Sequence, residues 1–305
     1  MDILRVENLS KSFGETKIID KISFNVSENQ IFGFLGRNGA GKTTTMKMIL
    51  GLLKSDNGEI FVMDTRVKYG QTETNKFIGY LPDVPEFYGY MRPKEYLKLC
   101  GEITGMSGDE INKRSDELLR LVGLENNKKK IGGFSRGMKQ RLGIAQALLN
   151  RPKLLICDEP TSALDPVGRK EILDILLKVK EETAIIFSTH ILSDVERICD
   201  KVALLNDTKL VLNGDLEDIK MKYSKNQLRI ELKDSKDVDI IRNSNIVKQY
   251  IDNLKCDKNV ITFNVKEVEK AEKIILNCLV QNNVLPIKFE IVEPSLENLF
   301  MEVVK

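Results

Sequence analysis

The sequence predicts an α/β protein in which helices cover both faces of a parallel sheet, followed by a smaller α+β domain. Two observations predict this class. Up to about residue 215, short apolar segments typical of buried strands alternate with segments of helical periodicity. Beyond that point the pattern changes to a short series of strand-like and helical segments. We therefore assign one domain to residues 1–215 and an accessory C-terminal domain to residues 216–305.

The first domain begins with segments that alternate apolar and polar side chains, as strands with a single buried face do. They predict an antiparallel subdomain beside a unit in which a glycine-rich loop joins a buried strand to a helix. The predicted elements are, in order, strands over 3–9 and 17–26, the strand–loop–helix unit over 30–51, and strands over 58–63 and 76–81.

A helical insertion is predicted at about residues 84–150. In its last helix, Met138, Leu142, Ala145 and Leu149 recur at helical spacing. Strands and helices then alternate again, as a parallel sheet requires. The predicted elements are helices over 93–103, 109–122 and 135–149, a strand over 153–157, a helix over 165–181, a strand over 183–188 and a helix over 191–199.

The C-terminal domain has the element order β-α-β-β-α-β, followed by one more helix. That order predicts a ferredoxin-like arrangement. The predicted elements are a strand over 226–233, a helix over 235–243, strands over 246–252 and 258–265, a helix over 266–282, a strand over 285–292 and a helix over 294–304.

Composition narrows the classes of function. The chain has 47 basic and 45 acidic residues, a net charge of +2, which argues against nucleic acid as a partner. Its five cysteines are scattered and include no C-x-x-C pair, which argues against a disulfide framework or a zinc site and for a reducing compartment. Because no apolar run is long enough to span a bilayer, we expect a cytoplasmic protein that reaches a membrane only through a partner.

The loop from Gly36 to Thr43 fits the pattern G-x-x-x-x-G-K-[ST], whose backbone N–H groups cradle phosphate oxygens. In this pattern Lys42 neutralises the β- and γ-phosphates, and Thr43 offers its hydroxyl to Mg²⁺. The following helix adds its positive N-terminal end. The predicted nucleotide-binding residues of this loop are Gly36, Arg37, Asn38, Gly39, Ala40, Gly41, Lys42, Thr43 and Thr44.

Two carboxylates, Asp158 and Glu159, follow the apolar strand that begins at Lys153. Ligands of α/β sheets bind at the carboxyl ends of strands, so this is a suitable place for chemistry. We expect Asp158 to hold Mg²⁺, and Glu159 to orient and polarise the water that attacks the γ-phosphate.

The segment from Phe134 to Arg141 begins a helix with Ser135 as its N-cap and an accessible backbone at Gly137. Together with the preceding motifs, this segment resembles the signature loop of ABC-type ATPases. The resemblance implies that two nucleotide-binding domains face each other head to tail. Ser135 and Gly137 of one domain then close on the γ-phosphate of the ATP held by the other.

The resemblance covers roughly residues 1–215. It implies that Phe13 stacks on adenine, that the loop from Ser162 to Asp165 couples the two sites, and that His190 contacts the γ-phosphate. In the C-terminal domain, the segment from Glu293 to Phe300 resembles the ending of ATP-binding subunits of drug, bacteriocin and sodium exporters.

Two features depart from the family pattern. The signature reads Ser135-Arg136-Gly137-Met138, where the common form continues Ser-Gly-Gly-Gln, and Asp83 replaces the usual Gln that binds Mg²⁺ and senses the membrane partner. Asp83 can bind Mg²⁺ but cannot donate a hydrogen bond when ionised, so the predicted metal set is Thr43, Asp158 and Asp83. The segment from Val84 to Tyr96 matches the family's contact with the transmembrane subunit, although a packed turn explains its aromatic residues as well.

These observations predict an ATP-hydrolysing subunit that forms a homodimer and powers a separately encoded permease, which we expect to export a drug, peptide antibiotic or ion. An importer ATPase shares the same core motifs. An ATPase acting on ribosomes or DNA is disfavoured by the near-neutral charge, the single nucleotide-binding domain and the lack of a heptad array. A module that only senses ATP is disfavoured because Glu159 and His190 are both present. The sequence of the C-terminal domain is equally consistent with a role in regulation, a role in dimerisation and a role as a structural cap.

Overall fold

A computed structural model describes residues 1–223, 227–249, 251–265, 267–292 and 296–303 of the chain. The chain divides into two compact units, Met1–Leu216 and Glu217–Lys305. The predicted α/β class with a smaller α+β part is confirmed. Among the described residues, no helix combines the length and the apolar character that crossing a bilayer requires.

The first unit contains two sheets and the helices that pack around them. Its strands are β1 (Asp2–Phe13), β2 (Thr16–Ser27), β3 (Ile31–Gly36), β4 (Asn57–Val62), β5 (Thr65–Arg66), β6 (Ile78–Leu81), β7 (Leu154–Asp158), β8 (Ala184–Thr189), β9 (Lys201–Asn206) and β10 (Lys209–Asp215). Its helices are α1 (Lys42–Ile49), α2 (Pro93–Ile103), α3 (Gly108–Leu121), α4 (Arg136–Ala147), α5 (Pro166–Val179) and α6 (Leu192–Ile198).

The antiparallel subdomain is a sheet of order β2-β1-β4-β5. Its strands alternate buried and exposed residues, as predicted, because only one face is covered. That face packs on the central sheet in one apolar core, where the rings of Phe24 and Phe32 stack with centroids 5.2 Å apart. Each buried phenylalanine contributes roughly 1.5–3 kcal/mol to folding.

The central sheet has the order β10-β9-β3-β8-β7-β6, in which all neighbours are parallel except β10 and β9. Strands β3, β7 and β8 are buried along their whole length, which explains their continuous apolar sequences. Because these three strands are neighbours, the loops at their carboxyl ends meet at one edge of the sheet. Strands β9 and β10 were not predicted from the sequence.

Helices α2, α3 and α4 lie between β6 and β7 in the chain, and side-chain oxygens accept hydrogen bonds from backbone N–H groups at the start of each; at α2, the Glu95 carboxylate accepts from the Arg92 N–H. Ser107 and Glu110 form a capping box at the start of α3, and the Ser135 hydroxyl accepts a hydrogen bond from the Met138 N–H at the start of α4. Helix α4 ends at Ala147, two residues before the predicted end.

The second unit is an antiparallel sheet of order β12-β13-β11-β14 covered by helices. Its core includes Leu228, Ile230, Phe263, Ile275 and Leu279. Its strands are β11 (Gln227–Leu232), β12 (Ile251–Asp257), β13 (Val260–Val265) and β14 (Pro286–Val292). The helices from the unit boundary onward are α7 (Leu216–Tyr223), α8 (Val238–Asn243), α9 (Asn245–Lys248), α10 (Val268–Gln281) and α11 (Leu296–Val303).

One element of the second unit differs from its prediction. The strand predicted over 246–252 is wrong in its first half, because Asn245–Lys248 is a helical turn and the strand begins at Ile251. The adjacent β-branched residues Ile246 and Val247 favour a strand locally, but Val247 is fully buried in the core from the helical turn. Of the exporter-like ending, residues 293–295 lie outside the described residues.

Candidate functional site

A cleft of about 310 Å³ lies where the loops after β3, β7 and β8 meet. It gathers side chains from parts of the sequence that are far apart. The cleft is lined by Asn38, Gly39, Gly41, Lys42, Thr43, Thr44, Asp83, Glu159, Ser162 and His190.

The glycine-rich loop between β3 and α1 depends on glycine at two tightly packed positions. Gly41 has φ = 110°, and a Cβ there would lie 2.7 Å from the Cδ1 of Ile19. A Cβ on Gly36 would lie 2.8 Å from the backbone oxygen of Leu205. Any larger residue at these positions would force the loop away from the strands beneath it. The remaining loop residues Arg37 and Asn38 are exposed.

Lys42 is the first residue of α1, and its side chain is only 6% exposed. Its Nζ donates a hydrogen bond to the Gly36 carbonyl oxygen at 2.7 Å and lies 3.1 Å from Glu159 Oε1. The loop therefore closes around its own lysine. No acidic side chain occupies the first turn of α1, so the positive end of the helix is not neutralised there.

Asp158, at the end of β7, is buried and held by two hydroxyl groups. Thr43 Oγ1 donates to one carboxylate oxygen at 2.7 Å, and Ser188 Oγ donates to the other at 3.0 Å. Burial, and then the nearby charge of Asp158, raise the pKa of Tyr80 to about 12. The role of Ser188 was missed from the sequence; the available signal is a polar residue within the apolar strand β8.

Glu159 lies between a lysine and a histidine. Its backbone has φ = 50°, an uncommon conformation for a residue with a side chain, and its N–H donates to the Ser188 carbonyl oxygen at 2.9 Å. Its Oε1 faces Lys42, and its Oε2 lies 2.9 Å from Nδ1 of His190. The glutamate side chain is 12% exposed and that of His190 is 42% exposed. The pair can therefore meet a ligand that enters from solvent.

Asp83 lies on the cleft but is bound to helix α4. Its Oδ1 is 3.2 Å from Nη2 of Arg136, and its backbone oxygen accepts a hydrogen bond from Gln140 Nε2 at 2.6 Å. Burial raises the pKa of Asp83, Arg136 opposes that shift, and the charges of Glu159 and Asp158 raise the pKa further. Asp83 also lines a second cavity of about 450 Å³, together with Phe87, Arg136 and Lys139.

The oxygen atoms of Thr43, Asp158 and Asp83 are of the type that Mg²⁺ prefers. Within the described residues, no group of three or more His, Cys, Asp or Glu side chains is placed to hold a metal alone. This donor set fits Mg²⁺, which takes only one or two carboxylates from a protein and completes its shell with water and substrate phosphates.

Seven predicted site residues do not line the cleft: Gly36, Arg37 and Ala40 of the glycine-rich loop, Asp158 at the end of β7, and Phe13, Ser135 and Gly137. The Phe13 ring is at the end of β1, is 52% exposed and has the Lys11 Nζ 5.4 Å from its centroid. Ser135 is exposed at the start of α4. Among the described residues, a Cβ on Gly137 would meet only the Leu164 Cδ2, at 3.8 Å, so no steric contact there requires glycine.

The loop after Glu159 and the segment after Asp83 are both ordered by local contacts. Asp165 is the N-cap of α5, where its carboxylate accepts a hydrogen bond from the Gly168 N–H.

In the segment after Asp83, the rings of Phe87 and Tyr96 meet edge to face with centroids 5.1 Å apart. Tyr88 and Tyr90 extend this aromatic group into solvent, being 55% and 69% exposed.

Two family models match the chain. The model described as "ABC transporter" matches residues 19–162, and that described as "ATP-binding protein DrrA1-3-like, C-terminal domain" matches residues 214–304. Together they account for the glycine-rich loop, the Asp158–Glu159 pair and nearly all of the C-terminal unit.

Among curated proteins, the chain is 36% identical over 305 residues to "Uncharacterized ABC transporter ATP-binding protein YxlF" of Bacillus subtilis, covering 99% of each chain. It is 40% identical to "Bacitracin transport ATP-binding protein BcrA" of Bacillus licheniformis, covering 76% of each chain. A solved structure described as the ATP-binding subunit of an ABC transporter superposes with a TM-score of 0.66 and 33% identity, covering 72% of this chain and 93% of that chain.

Proposed function

Because this chain belongs to the ABC transporter family of ATP-binding subunits, which hydrolyse ATP and work with membrane permeases, we propose that it powers a separately encoded exporter. The observation that carries the proposal is the single cleft that joins Lys42 of the phosphate loop to the Glu159–His190 pair. The relative named for bacitracin transport supports a peptide antibiotic among the candidate substrates, beside drugs and ions.

ATP binding in this proposal begins with the phosphate loop. The backbone N–H groups of the loop and the positive N-terminal end of α1 attract the phosphates. Lys42 exchanges its Gly36 and Glu159 partners for phosphate oxygens, which carry more negative charge. Phe13, with half of its surface exposed, is available to stack on adenine.

Thr43, Asp158 and Asp83 would hold Mg²⁺, which when bound neutralises charge on the β- and γ-phosphates. The two hydroxyl donors to Asp158 keep its carboxylate in a fixed orientation before the nucleotide arrives. Such preorganisation lowers the cost of assembling the site.

Glu159 is the proposed group that orients and polarises the attacking water. Once the phosphates attract Lys42, the Oε1 of Glu159 loses its cation and can accept a hydrogen bond from water. His190, bound to the other oxygen of Glu159, lies at the solvent side of the cleft and is the proposed contact to the γ-phosphate. Removing the histidine would therefore disturb both the phosphate contact and the orientation of Glu159.

A second copy of the chain is proposed to complete the site with Ser135 and Gly137. The exposure of Ser135 and the absence of both residues from the cleft of their own chain support this role. In the part of the chain that the structure describes, no neighbouring atom requires glycine at position 137, which supports close approach by an external ligand. ATP would then shift the population towards a closed dimer, and hydrolysis would release it.

The exposed tyrosines after Asp83 are the proposed contact to the permease. Aromatic residues are enriched in protein interfaces, and Tyr88 and Tyr90 present a clustered apolar surface with polar ends. Docking here would hold the chain on the inner face of the membrane.

The test is purification of the tagged chain from gently solubilised membranes of its host, combined with an assay of Mg²⁺-dependent ATP hydrolysis. We expect a multi-span membrane protein in stoichiometric amount and measurable hydrolysis. A preparation that contains ribosomes or DNA in place of a membrane protein would contradict the transport role. Uptake rather than efflux by the reconstituted complex would contradict the exporter assignment and favour an importer.

A further inference from the structure

The ion pair between Asp83 and Arg136 joins the two departures from the family pattern. Asp83 replaces the usual Gln, and Arg136 replaces the first Gly of the common signature. In this chain the two substituted side chains contact each other at 3.2 Å. The negative charge at position 83 and the positive charge at position 136 offset each other, which suggests that each substitution compensates for the charge introduced by the other.

Helix α4 binds Asp83 through two residues one turn apart. Arg136 contacts the carboxylate, while Gln140, which is fully buried, donates to the backbone oxygen at 2.6 Å. One turn further on, a Cβ on Gly143 would lie 2.5 Å from Leu81 Cδ1, which shows how closely the segment approaches the helix. The position of Asp83 is therefore fixed relative to the start of α4.

Asp83 also faces the charges of the cleft. Glu159 and Asp158 are both close enough to act on its charge, and Arg136 is the cation that opposes them most strongly. A third carboxylate beside a triphosphate would repel that triphosphate unless it is neutralised. Arg136 supplies this neutralisation from outside the cleft.

From these contacts we infer that Arg136 is a positioning residue for ATP: it holds and neutralises Asp83, and it thereby links nucleotide binding to the Ser135–Gly137 turn of the same chain. This inference rests on the proposed ATP-hydrolysing function. Exposed ion pairs contribute little to folding stability, so the pair is expected to act on ATP affinity rather than on the fold.

The experiment measures kcat and KM for ATP with the full chain and Mg²⁺, together with the melting temperature. In Arg136→Ala we expect KM to rise roughly three- to tenfold, since uncoupling a contact of this kind changes affinity by that order. Arg136→Lys keeps the charge and should stay near the wild-type KM. The melting temperature should not change in either variant.

The decisive variant is the double substitution Asp83→Asn with Arg136→Ala. Asparagine removes the unpaired charge but keeps a side-chain carbonyl oxygen where the proposed Mg²⁺ ligand stood, so KM should return to within about twofold of the wild-type value. If KM stays as high as in Arg136→Ala, Arg136 acts on ATP without Asp83 and the inference is overturned.

Lys139→Ala is the matched control, because Lys139 lies on the same helix and lines the same cavity as Asp83. We expect its KM to equal that of the wild type. An equal rise of KM in Lys139→Ala and Arg136→Ala would show that the loss of any positive charge near this cavity weakens ATP binding, and it would overturn the inference. A wild-type chain that hydrolyses no ATP would instead refute the proposed function, so the two failures are distinguishable.

Discussion

The cleft and the Ser135–Gly137 turn use glycine and serine in opposite ways. In the cleft, Gly41 is required by its φ of 110° and by Ile19 beside it, and Ser188 donates to a buried carboxylate. In the turn, a Cβ on Gly137 would make only ordinary contact with Leu164, and the Ser135 hydroxyl caps its own helix. The cleft is explained by contacts within the chain, whereas the turn is not. This difference is the basis for proposing that a second chain completes the site.

The largest expected effect is on the proposed base of the cleft. Glu159→Gln keeps the shape of the side chain but removes the charge that polarises water, so kcat should fall roughly 10²–10⁴-fold. ATP binding should persist, and a dimer trapped with ATP should appear in size-exclusion chromatography with light scattering. Glu181→Gln, which changes an exposed glutamate, is the control. Normal turnover in Glu159→Gln would remove Glu159 from this role.

The second effect concerns the cation of the phosphate loop. Lys42→Ala removes the buried ammonium group that faces Glu159. The free energy of ATP binding should become less favourable by about 2–5 kcal/mol, so Kd should rise roughly thirtyfold or more. Titration calorimetry with ATP measures it. Lys47→Ala on the exposed side of α1 should bind ATP normally. Unchanged affinity in Lys42→Ala would contradict the assignment of the phosphate loop.

A smaller effect tests whether the cleft is built before ATP arrives. Ser188→Ala leaves one oxygen of the buried Asp158 without its hydroxyl donor, which should lower the free energy of unfolding by about 1–3 kcal/mol. Denaturant unfolding measures it, with the exposed Ser193→Ala as control. Equal stability of the two variants would show that Asp158 is not held by this bond.

The smallest effect on the chain itself is expected in the turn. Gly137→Ala adds a methyl group that would lie 3.8 Å from Leu164 Cδ2 without a clash, and alanine favours the helix, so the chain should be as stable as the wild type or more stable by up to about 1 kcal/mol. Gly41→Ala should instead destabilise the chain. Thermal unfolding compares the two, and ATP-dependent dimerisation should weaken in Gly137→Ala. A dimer of normal strength would mean that the turn does not approach a ligand.

Much of the cleft could be predicted from the sequence because its chemistry is carried by short contiguous motifs. The loop from Gly36 to Thr43 and the Asp158–Glu159 pair follow buried apolar strands, and strand order then brings them together. Ser188 and the Asp83–Arg136 pair could not be predicted in the same way. Ser188 is 30 residues from Asp158, the residue that it binds, and Asp83 and Arg136 are 53 residues apart. No local sequence pattern encodes contacts over such distances.

The fold shows the same limit. Long periodic segments such as α5 and α10 were predicted within two residues at each end, since their buried faces repeat over several turns. Strands β9 and β10 were missed, and α9 was wrongly predicted as a strand. In such short segments, a few apolar residues fit the helical period and the strand period equally well. In α9, burial of Val247 in the core outweighed its local preference for a strand.

The most direct test of the two-chain site is a complementation assay. Lys42→Ala disables the cleft and Ser135→Arg disables the turn, so each variant alone should hydrolyse almost no ATP. In an equal mixture, about half of the dimers are mixed, and each of these has one intact site of two, so ATP hydrolysis should return to about a quarter of the wild-type rate. A mixture no more active than the separate variants would contradict a site shared between two copies of this chain.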